Sequence, residues 1–257
     1  AMELQSHYIV RWATSNGGLT ALNAAGDSVS FVCGDVMENA TVENGVASIT
    51  LAQAIKLMPD LGKYVIEVRG TDTQRYVIER VEARYTSRDA LLAYGKRNND
   101  GFDNVSLYPL PVFDEAIQRA EEALEQACKR SFSTRKLKTR LFPAKLCELP
   151  VVDVQDLECD LASVELVSDR QATGVTKSTM ATITYGTEAD SLICEAATRL
   201  AASYLRPSAH AENARGTSAD GVYISYTLPT GDEGSWTGIP YVDAAIEEHR
   251  SRRVIIA

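Results

Sequence analysis

The stretch that decides the fold runs from Val112 to Phe132 and reads VFDEAIQRAEEALEQACKRSF. Its main apolar residues are Phe113, Ile117, Ala120, Leu124 and Ala127. These residues recur at spacings of four, three, four and three, so in an α-helix they form one stripe. Acids occupy positions 114 and 115 and bases occupy positions 129 and 130, which suits the dipole of a helix that begins near residue 113. The pattern predicts a long helix with one buried face.

The residues before this helix are typical of β structure. Apolar and polar residues alternate in short runs, which is the pattern of half-buried strands. The clearest pair is 63–69 and 74–82, joined by the turn sequence GTDT, and it predicts a hairpin. Thr50 and the glutamine three residues later have capping-box spacing, which predicts a short helix that ends near Met58.

The chain is predicted to have three segments. Residues 1–86 are expected to form a small β-sandwich domain, residues 87–110 a linker with a short helix, and residues 111–257 a mainly helical domain. The linker starts at Ser87, a helix-capping residue, and continues as a polar stretch closed by two prolines. Strand-like alternation between residues 147 and 186 adds a β insertion to the helical domain. The expected fold class is therefore α+β.

Two further helices are predicted near the C-terminus. One runs from about Glu188 to Leu205, since its apolar residues line one face and a proline follows. The other is the last helix, which follows the closing segment described below. Between them, a loose polar stretch is followed by an alternating run from Val222 to Leu228, which predicts a strand. The strands of 147–186 are expected either to form their own small sheet or to pair with this strand.

The composition is that of an ordinary globular protein with an acidic surface. The formal net charge is −9, which disfavours a broad nucleic-acid-binding face. No apolar run reaches the length of about 18 residues that a membrane span needs, so we expect no membrane contact. The first residues lack the basic-then-apolar pattern of a signal peptide, so we expect the protein to be made and kept in a cytoplasm.

The sequence lacks the recognised arrangements of catalytic residues. It has no nucleophile elbow, no phosphate-binding loop and no dinucleotide fingerprint. Its five cysteines are widely spaced without a Cys-x-x-Cys pair, so we interpret them as buried thiols. Asp156, Glu158 and Asp160 could hold a hard cation, but the apolar residues between them favour a half-buried strand. We expect no catalytic residues, no cofactor and no metal site.

Two neighbouring runs of opposite charge are the main electrostatic feature. Between residues 129 and 145 there are seven basic residues and no acid: Lys129, Arg130, Arg135, Lys136, Lys138, Arg140 and Lys145. Between residues 148 and 169 there are seven acidic residues and no base: Glu148, Asp153, Asp156, Glu158, Asp160, Glu165 and Asp169. The two runs could be a solvated surface, or complementary faces through which copies of the chain assemble. The basic run could also face a nucleic acid that passes nearby.

The closing segment SWTGIPYVDAAI, from Ser235 to Ile246, is predicted to be a turn that leads into a last helix. Pro240 suits the first helical position and Thr237 is a possible cap. The chain then ends in an apolar, β-prone tail that contains Val254, Ile255 and Ile256. Such a tail either packs into its own core or adds a strand to a neighbour's sheet.

Three segments of the second half resemble the head-tail connector, or head-completion adaptor, proteins of long-tailed phages and prophages. They are the helix quoted above, the stretch ITYGTEADSLICEAATRLAASYLRPS that starts at Ile183, and the closing TGIPYVDAAIEEHRSRRVIIA that starts at Thr237. The resemblance covers roughly residues 109–257. The resemblance implies a small helical bundle with a β insertion that forms a homo-oligomeric ring in the virion. It also implies contacts to the portal and to a tail-completion or tail-terminator protein, with genome DNA passing through the ring without sequence-specific binding.

The resemblance also implies candidate contact residues. They are Trp236, Thr237, Gly238, Ile239, Pro240 and Tyr241 of the closing segment, and Val254, Ile255 and Ile256 of the tail. Arg135, Lys136, Lys138 and Arg140 of the basic run join them as candidates on charge alone. The N-terminal β-domain departs from the family pattern and is similar to the immunoglobulin-like decorations of virion proteins. The alternative function is that this β-domain is a carbohydrate- or protein-binding module of a virion or bacterial protein.

Overall fold

The computed structural model of the chain describes residues 1–5, 9–22, 28–206, 216–219, 222–225 and 236–250. Helices and sheets both contribute, so the α+β class is confirmed. The chain forms two compact units, residues 1–85 with 130–189, and residues 86–129 with 190–257. Each unit thus joins two separate parts of the sequence. The predicted domain boundaries stay a prediction, since a compact unit is not by itself a domain that folds alone.

The first part of unit 1 contains nine strands, one short α-helix and a 3₁₀ turn at Thr14–Asn16 within the described residues. The strands are β1 (Met2–Glu3), β2 (Val10–Trp12), β3 (Leu19–Ala21), β4 (Ser30–Cys33), β5 (Val36–Asn39), β6 (Thr41–Glu43), β7 (Val46–Ile49), β8 (Gly62–Arg69) and β9 (Thr73–Arg80). They form a four-stranded sheet of order β1-β3-β7-β6 and a five-stranded sheet of order β2-β9-β8-β4-β5. Both sheets pack on one core that contains Leu19, Trp12 and Phe31. An immunoglobulin-like strand order stays a prediction.

Local sequence signals explain the connections in this part. The helix α1 (Leu51–Leu57) begins after Thr50, whose hydroxyl accepts a hydrogen bond from the Gln53 N–H at 3.4 Å. The Gln53 side chain in turn accepts from the Thr50 N–H at 2.9 Å, so the predicted capping box is confirmed. Strands β8 and β9 pair in antiparallel register from Gly62 with Arg80 to Arg69 with Thr73, which confirms the predicted hairpin.

The second part of unit 1 is a six-stranded β segment. Its strands are β10 (Arg135–Leu141), β11 (Ala144–Glu148), β12 (Val154–Cys159), β13 (Glu165–Ser168), β14 (Gln171–Val175) and β15 (Thr179–Tyr185). They form two three-stranded sheets, β10-β15-β12 and β11-β14-β13, which share a core around Leu141, Val175 and Ile183. The β segment therefore makes its own sheets, the first of the two arrangements expected. It begins earlier than the predicted residue 147, because the basic run itself supplies β10.

Unit 2 is mainly helical. Its elements are α2 (Arg88–Asn98), α3 (Leu110–Cys128), α4 (Ser191–Leu205), β16 (Gly216–Ala219), β17 (Val222–Ser225) and α5 (Pro240–His249). Helix α4 packs against α2, α3 and α5. The predicted stripe of α3 is buried, with Phe113, Ala120 and Leu124 fully inaccessible to solvent. Strand β17 confirms the first four residues of the predicted strand, and residues 226–228 of that prediction lie outside the described residues. Its partner is β16, which lies in the stretch that was predicted to be loose.

Three sequence predictions are wrong in detail. Helix α3 starts at Leu110 and therefore has no acid in its first turn, and Lys129 is a left-handed C-cap outside its last turn. Of the five cysteines only Cys128 is buried, whereas the other four are half-buried. The expected helix start at residue 188 falls instead at Ser191, because the Asp190 carboxylate accepts from the Ile193 N–H and caps the helix there.

Candidate interaction surfaces

The closing segment is organised by the carboxylate of Asp243 on α5. One oxygen of this carboxylate, Oδ1, accepts from the Trp236 N–H at 3.2 Å and from the Thr237 N–H at 2.8 Å. It also accepts from the Thr237 hydroxyl at 2.8 Å. Hydrogen bonds to a charged acceptor are stronger than those between neutral groups. Asp243 therefore fixes the turn against the first turn of the helix.

The turn itself uses a glycine where the backbone demands one. Gly238 has φ of 75°, in the left-handed region where a side chain would be strained. Pro240 begins α5, as predicted, and the N-cap position is taken by Ile239. The predicted cap, Thr237, is displaced because its hydroxyl accepts from the Ile239 N–H at 3.2 Å outside the helix. The tight loop thus sets the direction in which α5 leaves the turn.

Trp236 lies on the surface of this segment with 43% of its area exposed. Its indole N–H donates to Glu247 Oε1 at 3.1 Å. The Arg250 guanidinium lies 4.6 Å from the ring centroid, a cation–π distance. One edge of the ring is therefore fixed on α5 while a large aromatic area faces solvent.

The rest of α5 is fixed within unit 2. Val242, Ala245 and Ile246 are fully buried, and the Arg199 guanidinium of α4 lies 4.2 Å from the Tyr241 ring centroid. These contacts orient α5 on the neighbouring helices. Tyr241 is therefore an internal packing residue as well as a sequence-predicted contact residue.

The far end of α5 is joined to the start of α4 by His249 and Asp190. The His249 Nε2 lies 2.9 Å from Asp190 Oδ2, and its Nδ1 lies 2.9 Å from the Ala245 carbonyl oxygen. Both neighbours are acceptors, so only the protonated ring can donate to both at once. The hydrogen bond from the Ile193 N–H, together with His249, lowers the pKa of Asp190 below its usual range.

The basic candidates lie together on β10 but differ in burial. Arg135 is buried, and its Nη1 lies 3.8 Å from Glu79 Oε2, an oxygen that also pairs with Arg11 at 3.7 Å. Lys138 and Arg140 are exposed and Lys136 is half-buried. Because successive side chains of a strand alternate between faces, Lys136, Lys138 and Arg140 share one face. The accessible positive charge of the strand is on that face.

The acidic run supplies the opposite edge of the same sheet. In the register through the central strand, Lys136 and Asp156 both pair with Thr184, and Lys138 and Glu158 both pair with Thr182. Asp156 and Glu158 are therefore on the same face as the two lysines. Both charge runs are visible in the sequence. The pairing of β10 and β12 with β15, which brings the basic and acidic side chains onto one face, could not be predicted from it.

Part of this face lines an open cavity of about 500 Å³ in unit 1. The lining includes Lys136, Lys138 and Glu158, together with Lys63 and Tyr64 at the start of β8. Burial raises the pKa of the Tyr64 phenol. The cavity is thus a recess with charges of both signs at its wall.

The remaining predictions concern sites that the structure does not bring together. The tail candidates Val254, Ile255 and Ile256 lie outside the described residues. Within the described ranges, no group of three or more His, Cys, Asp or Glu side chains is arranged to hold a metal ion. Across those same ranges no helix combines the length and apolar character that crossing a membrane requires. The closing segment and the β10 residues belong to different units.

Comparison with known proteins gives limited information. No protein-family model matches the chain, and no curated protein matches it significantly. Among solved structures, a chain from the neck of an empty GTA particle, computed with C6 symmetry, matches with a TM-score of 0.41 and 17% identity. The match covers 68% of this chain and 97% of that chain. A likeness at this level does not establish a shared fold.

Proposed function

We propose that this chain is a structural virion protein, a head-tail connector or adaptor that joins the portal to the tail of a long-tailed phage or prophage. The observation that carries the proposal is the packing of the three family-like segments. They supply α3, α4 and α5, which pack on one another in unit 2. The β segment is inserted in sequence between α3 and α4. This agrees with the helical bundle and β insertion that the resemblance implies.

The proposed role is structural and uses no catalytic residue, cofactor or metal. The chain would assemble as a ring on the portal, contact a tail-completion or tail-terminator protein on its other side, and surround the passing genome. The acidic net charge of −9 suits a ring that does not grip DNA. The weak likeness to a chain of a particle neck accords with this role but does not carry it.

The exposed aromatic surface of Trp236 is the proposed portal or tail contact on the closing segment. Tryptophan is among the residues that most often dominate interface energies, and here its ring is held in place by Glu247 and Arg250. A rigid, half-exposed aromatic ring loses little conformational entropy when a partner covers it.

The test is co-purification of the chain with the portal and tail-completion proteins encoded beside it, followed by size-exclusion chromatography with light scattering. We expect the wild-type protein to bind one of them and Trp236→Ala to weaken that binding at least about 10-fold. Glu248→Ala is the matched control, because Glu248 is exposed on the same helix and has no hydrogen bond or ion pair to a described residue. We expect this control to bind as the wild type does.

A wild-type chain that binds neither protein would contradict the connector role. Binding of glycans that maps to residues 1–86 would instead favour the alternative, a binding module built on the β-domain. Self-association is not required in this test, since a connector can be monomeric until the portal assembles it.

A further inference from the structure

The charged face of the sheet β10-β15-β12, part of which lines the open cavity beside Lys63 and Tyr64, sorts its charges by sign. One edge strand carries Lys136, Lys138 and Arg140, the basic row. The other edge strand carries Asp156 and Glu158, and Asp160 follows directly after it; these three are the acidic row. The central strand between the rows contributes the uncharged Thr182 and Thr184. Neighbouring strands lie about 4.8 Å apart, so the rows are roughly 10 Å apart.

The opposite face of the same sheet explains why the charges point outward. Ala181 and Ile183 of β15 and Leu157 and Cys159 of β12 belong to the core of the β segment or pack against it. A one-residue change of register would bury the charged rows and expose this core. The position of both rows is therefore fixed by the packing of the sheet.

Other members of the two charge runs already have partners inside the chain. Arg130 forms a bidentate pair with Asp153, at 2.8 Å and 2.6 Å, and Arg135 pairs with Glu79. In contrast, neither row forms an ion pair or hydrogen bond with another side chain of the described residues. The runs are thus divided between charges used to fold unit 1 and charges left on one accessible face.

The geometry favours a protein partner with both signs over a nucleic acid. A DNA backbone lying along the basic row would have the acidic row about 10 Å away, close to the Debye length of about 8 Å in physiological salt, and would be repelled by it in part. The net charge of −9 adds to this repulsion. A partner complementary to the whole face needs an acidic row beside a basic one, and a second copy of this chain has both.

We infer that the face of β10-β15-β12 is a contact between copies of this chain, in which the basic row of one copy meets the acidic row of the other. Because both rows lie on one face about 10 Å apart, two copies related by a two-fold axis satisfy both pairings at once, so the contact is isologous. Electrostatic complementarity of this kind fixes the orientation of the copies more than it adds affinity. The inference goes beyond the proposed function and does not rest on it, since a two-fold contact of this face joins copies of the chain in pairs whatever their role.

The test uses the purified full chain without any virion protein. Sedimentation velocity over a range of concentrations is measured in about 0.02 M and about 0.5 M salt, which changes the screening of exposed charges several-fold. We expect self-association of the wild type in low salt and its loss in high salt. Two charge-reversal variants are compared, K136E/K138E/R140E and D156K/E158K/D160K. Each alone should associate at least about 100-fold more weakly, because like charges then face each other.

The decisive sample is the equimolar mixture of the two reversal variants. In the mixture each acidic surface again meets a basic one, so association should return in low salt. The milder variants Lys138→Gln and Glu158→Gln keep the inference testable if a triple variant fails to fold, and each should weaken association about 2- to 5-fold. Circular dichroism checks the fold of every variant.

Three results would overturn the inference. They are a wild type that stays monomeric in low salt, reversal variants that associate as the wild type does, and a mixture that does not restore association. Wild-type binding to duplex DNA that is lost in K136E/K138E/R140E, with self-association unchanged, would also overturn it and assign the basic row to DNA. None of these results contradicts the connector role, which is tested separately by portal and tail-protein binding.

Discussion

The helices of unit 2 and the outer sheet face of unit 1 use their charged side chains in opposite ways. At α4 and α5, charged side chains bond to groups of the same unit. Asp243 accepts hydrogen bonds from the turn at Trp236, and Asp190 caps the start of α4 and also contacts His249. On β10 and β12, exposed charges of opposite sign lie on one face without partners among the described side chains. The difference suggests that charge stabilises the fold in one region and remains available for association in the other.

The largest expected effect of removing a charge is at Asp243. Asp243→Ala leaves the Trp236 and Thr237 N–H groups without their acceptor and frees the turn before α5. We expect the free energy of unfolding to fall by about 2 kcal/mol, a typical cost for losing hydrogen bonds to a charged group. Urea unfolding followed by the helical circular dichroism signal measures it.

The matched variant at this position is Asp243→Asn. The amide keeps an acceptor oxygen for the turn and removes only the charge, so we expect it to lose less stability than Asp243→Ala. Equal stability of Asp243→Ala and the wild type would break the comparison, because the charge on α5 would then have no structural role.

A smaller effect is expected at Asp190. Asp190→Ala removes the cap of α4 and the bond to His249, and we expect it to cost about 1 kcal/mol. Asp190→Asn keeps the cap and should cost less. The pH dependence of stability separates the effect of the charge from that of the cap. Because the pKa of Asp190 is lowered in the folded protein, the charged carboxylate contributes its full stabilisation above the unfolded-state pKa of about 3.9. This stabilisation is lost as the pH falls through the folded-state pKa.

Unfolding measured between about pH 5 and about pH 2 should therefore show a steeper loss of stability for the wild type than for Asp190→Asn. The rest of the chain titrates in both proteins, so the difference between the two curves isolates this carboxylate. Parallel curves would show that the pairing of Asp190 does not stabilise unit 2.

The smallest effect is expected on the sheet face. Lys138→Gln and Glu158→Gln should each change the free energy of unfolding of the monomer by less than about 0.5 kcal/mol, because neither charge has a described partner to lose. Thermal unfolding in high salt, where copies are kept apart, measures this. A loss above about 1 kcal/mol would mean that these charges stabilise the fold and would remove the contrast with α5.

Local signals in the sequence were sufficient for the helices and for the hairpin. The stripe of α3, the capping box at Thr50 and the Pro240 start of α5 each depend on residues close together in the chain, and all three are present. The predicted start of α3 near residue 113 is too late. The helix begins at Leu110, and its first three residues lie before the apolar stripe from which the start was predicted. Local patterns identify an element better than they identify its ends.

The sheet face could be predicted only in part. Basic residues at 136, 138 and 140 alternate with Leu137, Thr139 and Leu141, and this period of two is typical of a strand. We interpreted the segment only as a run of charge and did not predict the strand. The partner strands lie up to about 50 residues away, and no local pattern specifies which strands pair. The Asp243 bonds and the ring contact of Arg250 were also missed, since they depend on how the turn folds back onto α5.

The most direct test of a connector role is the location of this chain in a particle. Particles of the phage or prophage that encodes the chain are purified, labelled with a gold-conjugated antibody raised against residues 1–86, and imaged by negative-stain electron microscopy. A connector predicts label at the junction of head and tail. Label on the capsid surface or the tail tip, or particles that lack the chain altogether, would contradict it.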